Sequence, residues 1–339
     1  GWTLEQIDPT SPCSGASNWR ASNATAGGTP GSQNSIYAIV PDTQPPVLVS
    51  VEVVSPTTIT VLFNETMDAS SLVGANYFIT PTIATGDVFP NYNNGANVEL
   101  LQPMELGIVY TLVVEDASDC TGNLITTGNT AQFALPDSVE VGDVVINEVL
   151  YDPYVGGVDF VELYNRSQKT LSLTGWKMAN VTSGAIASPV AINSGMLLLP
   201  GQFVVITSST ANIASLYPQS HTERFVENAL PGYNNDEGSV VLQGPDGSTL
   251  DRFDYNDDLH FTLVNNPEGY SLERVDPDRA TDDNTNWQTA ADIAGKATPG
   301  FVNSQYSKTK NASGDMTIEP AIFSPDNDGH QDLLTIGYR

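Results

Sequence analysis

GDVVINEVLYDP, residues 142–153, and DFVELYN, residues 159–165, are the stretches on which the fold is read. Each is a run of β-branched, leucine and aromatic residues too short for an ordinary helix, and turn formers close it: Asp152-Pro153 in the first, Asn165 in the second. Each also holds one glutamate among apolar neighbours, Glu148 and Glu162, where an ionised group is costly to bury unless it is paired. Similar runs recur along the chain between clusters of Gly, Pro, Asn and Asp: VLVSVEVV (47–54), TTITVLF (57–63), YTLVVED (110–116) and FVVIT (203–207). Their period of two puts Ile59, Val61 and Phe63 on one face and Tyr110, Leu112 and Val114 on another. The chain is therefore expected to be all-β, in tandem antiparallel β-sandwiches.

Composition agrees. The chain has 339 residues with 28 Gly and 22 Pro, long enough for two or three domains, and its 40% hydrophobic content suffices for packed cores. Twelve Lys and Arg face 40 Asp and Glu, a formal net charge of −28. Such a surface repels phosphate backbones and argues against nucleic acid as a partner. Acidic β-rich chains of this kind are often extracellular, where divalent cations offset the charge. No apolar stretch reaches the roughly 18 residues of a membrane span, so no transmembrane segment is expected. The two cysteines, Cys13 and Cys120, lie outside any CxxC motif. In an exported protein they read as one disulfide, the alternative being two unrelated thiols.

An internal repeat bears on organisation. Gly1, Leu4, Glu5, Asp8, Pro9, Asn18 and Trp19 recur at Gly269, Leu272, Glu273, Asp276, Pro277, Asn286 and Trp287, at a constant offset of 268. After a one-residue gap, Thr29-Pro30-Gly31 and Asn34-Ser35 recur as Thr298-Pro299-Gly300 and Asn303-Ser304. The second copy closes a long β-rich block, and the first has no such block before it. Residues 1–40 therefore read as the tail of a domain whose body lies elsewhere. The strand in residues 1–9 is expected to pair with a preceding segment or a partner chain, because an open edge is an aggregation hazard.

Three resemblances follow. FNETMDASSLVGANYFI (63–79) with YTLVVEDASDCTGNLI (110–125) resembles the bacterial Ig-like domains of modular surface proteins and implies a spacer sandwich over 41–137. GDVVINEVLYDP, DFVELYNRSQKTLSLTGWKM (159–178), LPGQFVVIT (199–207), NNDEGSVVLQGPDGSTLDRFDY (234–255) and GYSLERVDP (269–277) together resemble the lamin tail domain. This implies an Ig-type sandwich over 138–306, with residues 1–40 the end of an earlier one. After a linker at 307–315, IFSPDNDGHQD (322–332) resembles the start of a FlgD-like Ig module over 316–339. That order of modules resembles cell-surface proteins of the Bacteroidota phylum, many exported by the gliding-associated, type IX secretion route.

Motifs for chemistry are sparse. No HExxH, GxSxG or phosphate-cradling glycine loop occurs, and His221, His260 and His330 read as surface or turn residues. Glu148 and Glu162 are the best pair for a glycosidase-like dyad, yet the structural reading, with carboxylates bonding backbone amides or a neighbouring strand, is preferred. Asp326, Asp328 and Asp332 around Gly329 form a candidate calcium loop, the only cofactor expected, or an Asx-type turn. Asp254 to Asp258 and Asp282-Asp283-Asn284 read as solvated loops. Trp19 and Trp287, at matching repeat positions, fit core packing better than sugar stacking. Asp137-Ser138-Val139 matches a short O-glycosylation signal reported for that phylum, with Ser138 as acceptor and an ordinary linker as the alternative.

The expectation is thus a non-enzymatic, modular cell-surface protein: a stalk, an adhesin or a subunit of an outer-membrane assembly. Its partners would be envelope proteins, including a secretion or gliding complex. The alternatives are accessory modules of a secreted nuclease or glycosidase and, less favoured, a carbohydrate-binding protein.

Overall fold

The alternating runs form sheets in which the apolar residues face inward. The computed structural model describes residues 1–307 except Pro12, Ser14, Tyr92, Asn93 and Asn265, together with residues 316–319 and 335–338. In the first forty residues, β1 (Leu4–Gln6) pairs antiparallel with β2 (Trp19–Ala21), Gln6 opposite Trp19.

The next unit is a two-sheet sandwich. One sheet holds β3 (Leu48–Ser55), β4 (Thr58–Phe63), β6 (Thr85–Asn91) and β7 (Gly95–Leu100) in the order β3-β4-β7-β6. The other holds β5 (Asn76–Thr80), β8 (Val109–Glu115) and β9 (Thr130–Ala134) in the order β5-β8-β9. Ile59, Val61 and Phe63 from one sheet meet Tyr110, Leu112 and Val114 from the other in a single core. A one-turn helix, α1 (Ala69–Gly74), starts where the Asp68 carboxylate accepts the Ser71 amide, so DASS ends the preceding β run.

The largest unit is a second sandwich. Its main sheet has six strands: β10 (Val144–Leu150), β11 (Phe160–Asn165), β16 (Phe203–Thr207), β17 (Phe225–Glu227), β20 (Leu272–Arg274) and β21 (Trp287–Thr289), in the order β17-β16-β11-β10-β20-β21. All neighbours are antiparallel except β16 and β17, a parallel pair that departs from the expected purely antiparallel pattern. The chain between them runs through α2 (Thr210–Leu216), a crossover that lets the second strand start from the same end. The opposing sheet has the order β14-β13-β18-β19, from β13 (Lys177–Thr182), β14 (Ala185–Ala191), β18 (Glu237–Gln243) and β19 (Thr249–Asn256). Two short strands, β12 (Leu171–Ser172) and β15 (Leu197–Leu198), pair beside it.

The main sheet is covered on both faces, and this sets up the site described next. Val144, Ile146 and Val149 pack with Trp176, Met178 and Phe253 in the sandwich core. Leu150, Phe160 and Val205 meet Ile213 and Tyr217 of the α2 segment on the other face. Every residue of β10 is consequently buried, the glutamate included. At the far end, β22 (Met316–Glu319) pairs antiparallel with β23 (Thr335–Tyr338). No helix among the described residues is long and apolar enough to cross a membrane.

Candidate functional site

Strand register gathers three carboxylates that are separated in sequence. Glu148 on β10 lies opposite Glu162 on β11 and opposite Glu273 on β20, and all three are fully buried. Most of what binds them is one irregular stretch, residues 298–305, laid across the sheet. Glu148 accepts the Thr298 amide at 2.8 Å and the Ser271 hydroxyl at 2.5 Å. Glu162 accepts the Gly300 amide at 2.6 Å and the Asn147 side-chain amide at 2.8 Å. Glu273 accepts the Ser304 hydroxyl at 2.7 Å and the Gln305 amide at 2.8 Å. Asn303 completes the strap, donating to the carbonyls of Asn147 at 3.0 Å and Arg274 at 2.9 Å.

A single hydroxyl stands between two of the three buried acids. The Thr298 hydroxyl has one proton but two carboxyl neighbours, Glu273 at 2.7 Å and Glu148 at 3.2 Å. It donates chiefly to Glu273, and the longer contact leaves Glu148 the less well supported of the two as a carboxylate. Burial, then the charge of Glu273, pushes the Glu148 carboxyl up to about 8 against the bonds from Ser271 and Thr298. Burial first, and the neighbouring Glu148 carboxyl whenever it is ionised, hold Glu162 well above the usual carboxylate range.

A stability slope follows, with a definite sign. A carboxyl held protonated in the fold but ionised in the unfolded chain stabilises most below about 4.5. That stability drains as pH rises, until the folded group itself ionises near 8. Urea unfolding of the second sandwich should therefore show stability falling as pH rises from about 4.5 to about 8, by about 1.4 kcal/mol per pH unit for each such group while it is protonated only in the fold. Asp159, pushed by burial to about 7, adds in the same direction. Glu148→Gln should flatten part of the slope and keep most of the stability at pH 6.5, because a neutral amide of the same shape spares the cluster a second buried charge. An unchanged slope in that variant would remove Glu148 from the account.

The contacts of this cluster fasten residues 298–305 to the sheet. Six of the bonds to its carboxyl oxygens run to residues 298–305, and the clefts beside the disulfide and between the two sandwiches are lined by other residues. Gly300 is essential to the fit: its φ is +95°, and a Cβ there would lie 2.7 Å from the His221 carbonyl oxygen. Gly300→Ala should lift the strap off Glu162 and cost about 2 kcal/mol or more, read by thermal unfolding.

A buried arginine sits beside the strap on β20. Arg274 is fully buried, donating to the Ile146 carbonyl at 2.7 Å, Thr281 Oγ1 at 2.7 Å and Asp251 at 3.3 Å. Its guanidinium lies 4.8 Å from the centre of the Trp287 ring, which stacks on Phe253 at 3.6 Å. The sequence motifs single out neither Arg274 nor the pair Asn147 and Asn303. The usable signal is the repeat, since Glu273, Thr298, Asn303 and Ser304 all recur in the first copy.

The first copy repeats these contacts. Glu5 accepts the Thr29 hydroxyl at 2.7 Å and the Ser35 hydroxyl at 2.7 Å, and the Asn34 amide donates to the Gln6 carbonyl at 2.9 Å. Among the described residues no second carboxyl acts on Glu5. Burial alone would raise it, but the bonds from Thr29 and Ser35 override this and hold it down at about 2.

Other candidate residues fall as follows. Cys13 and Cys120 are joined, with their Cα atoms 6.1 Å apart. Beside them Asp42, Glu65 and Asp119 each offer an oxygen within 4.8 Å of the others, the donor type that hard cations take. Asp119 is already bonded by the amides and side chains of Thr121 and Asn123, an Asx-type turn that accounts for its burial. Asp326, Asp328, Asp332 and His330 lie outside the described residues. Ser138 is exposed, and its carbonyl accepts Lys169 Nζ at 3.3 Å. Two readings are corrected. His260 is buried rather than a surface residue: its Nδ1 meets Thr289 Oγ1 at 3.0 Å, and burial pushes the imidazole down to about 4. Trp287 is in the core as expected, whereas Trp19 is 48% exposed, because among the described residues no second sheet covers its face.

No curated protein matches the chain in sequence. Solved structures similar to it include the N-terminal part of the bacterial S-layer protein SbsC, at 15% identity over 48% of this chain and 40% of that one, TM-score 0.25. A DUF4876 family protein from Bacteroides thetaiotaomicron is similar at 16% identity over 62% of this chain and 82% of that one, TM-score 0.28. The chain spans less than half of the S-layer fragment. The family comparison is specific to one unit. Residues 138–257 match the Lamin Tail Domain family, whose Ig-like fold the second sandwich has, with the hairpin of residues 269–307 closing its sheet beyond the matched segment.

Proposed function

We propose that this chain is a non-catalytic, modular part of a cell-surface protein, its β-sandwiches working in series as a stalk, adhesin or subunit of an outer-membrane assembly. The observation that carries this reading is the use of the buried acids: the pair best suited to acid–base chemistry, Glu148 and Glu162, is consumed in holding a strap. A net charge of −28 and a cysteine pair that crosslinks the first forty residues to the first sandwich fit an exported, oxidised protein. The IFSPDNDGHQD motif supports export by the type IX route and partners among envelope or gliding components. Calcium at Asp326, Asp328 and Asp332 belongs to the same proposal, and binding heat with calcium chloride that D326N/D328N/D332N abolishes would support it.

Surface labelling of intact cells, followed by crosslinking and recovery of the full-length protein, tests the reading. Labelled protein crosslinked to envelope components is the expected result. Recovery only from the cell interior, or a hydrolytic activity lost in Glu148→Gln and Glu162→Gln, would overturn it.

A further inference from the structure

The same closing hairpin occurs twice, and its surroundings differ in one respect. Within each copy the bonds coincide. Thr3 N–H reaches the Gly27 carbonyl as Ser271 N–H reaches Lys296, and Ala38 N–H reaches Ile7 as Ser307 N–H reaches Val275. Asn18 and Asn286 each accept an aspartate amide through Oδ1, at 2.7 and 2.9 Å. Gln6 lies opposite Trp19 as Arg274 lies opposite Trp287.

Exposure does not coincide. Leu4 is 70% exposed where Leu272 is 0%, and Trp19 is 48% exposed where Trp287 is 2%. In the second copy, β10 adds to the free edge of β20, with Val149 opposite Leu272 and Glu148 opposite Glu273, and Phe253 of the opposing sheet covers Trp287. Among the described residues β1 has only β2 as a neighbour. Pleat alternation directs the Leu4 and Gln6 amides away from β2, since Thr3 and Ile7 bond that side.

We propose that Leu4, Gln6, Trp19 and the open edge of β1 form a docking surface for a β-sandwich body of the kind built by residues 138–261. That body adds a β10-like strand antiparallel to β1 and lays a second sheet on Leu4 and Trp19. An edge-to-edge pair of copies would satisfy the strand but leave the Trp19 face bare, and the β10 edge of a second copy is already taken by its own β20. Position 6 refines the partner's chemistry: Gln6 replaces Arg274, so the partner has no need of the acid that Asp251 supplies to the guanidinium. This surface exists wherever the protein is located.

Hydrogen exchange at the Leu4 and Gln6 amides of the full chain is the test, with a synthetic peptide of residues 142–151 as the strand probe. A second arm extends the chain at Gly1 with another copy of its own residues 138–268, which the repeat offset joins in register. Exchange slowed by about tenfold or more in either arm, and restored by Leu4→Lys, is the expected result. Unchanged exchange in both arms overturns the proposal. Should the extended chain misfold, the peptide arm alone decides. Protection that rises with concentration in the unextended chain without peptide assigns the face to other copies and overturns it too.

Discussion

Trp287→Ala should destabilise the second sandwich by about 3–5 kcal/mol, while Trp19→Ala should change stability by about 0.5 kcal/mol or less. The two tryptophans occupy the same position of a repeated hairpin, so local sequence effects largely cancel in the comparison. Trp287 is 2% exposed, stacks on Phe253 at 3.6 Å, lies under Arg274 and donates to the Thr281 carbonyl at 2.9 Å. Alanine there removes a large ring between two sheets and leaves a carbonyl without its donor. It also leaves a buried guanidinium over a void, which adds to the cost. Trp19 is 48% exposed, and its loss gives up little burial. Urea unfolding followed by circular dichroism measures both. Equal losses would show that the copies share one environment, which would refute the difference in exposure on which the docking surface rests.

Replacing Cys13 and Cys120 by serine should cost the first sandwich about 4–5 kcal/mol on the chain-entropy account. The bridged residues are 107 apart, so the crosslink closes a loop that contains most of that sandwich. Released from it, the unfolded segment regains a large conformational freedom while the folded core of Ile59, Val61, Leu112 and Val114 is untouched. For a unit of this size, a loss of that order lowers the melting temperature by about 20 °C or more. A non-reducing peptide map should show the bridge directly. Alkylation of both thiols without prior reduction would remove the basis of the prediction, and a melting temperature unmoved by the double substitution would refute its magnitude.

Much of the fold was legible because β structure imposes a period of two on any strand with one buried face. Ile59, Val61 and Phe63 announce their face in this way, as do Tyr110, Leu112 and Val114. The parallel pair of β16 and β17 was not legible, because Phe225–Glu227 is three residues long and carries no period. Glu148 and Glu162 stood out as buried acids, and the structural reading of them fits the bonds they make. Glu273 was visible only as a repeated letter, since its neighbours in chain order do not mark it as one of three acids in a cluster. His260 was misread for a related reason: burial there is decided by Thr289 and Tyr151, both remote in sequence.

The amino-acid order alone determined the class of fold, the repeat and which residues each copy of the hairpin uses to hold its own strap. Most of those contacts lie within one repeat, so the shared letters produce largely matching bonds. Only the tertiary structure decided the upward shift of the Glu148 carboxyl and the different fates of Trp287 and Trp19. Both depend on what a neighbouring strand or sheet brings into contact. A carboxyl's charge is set by the acids packed against it, and a tryptophan's burial by the presence of a second sheet. Neither is written in the residue or its immediate neighbours.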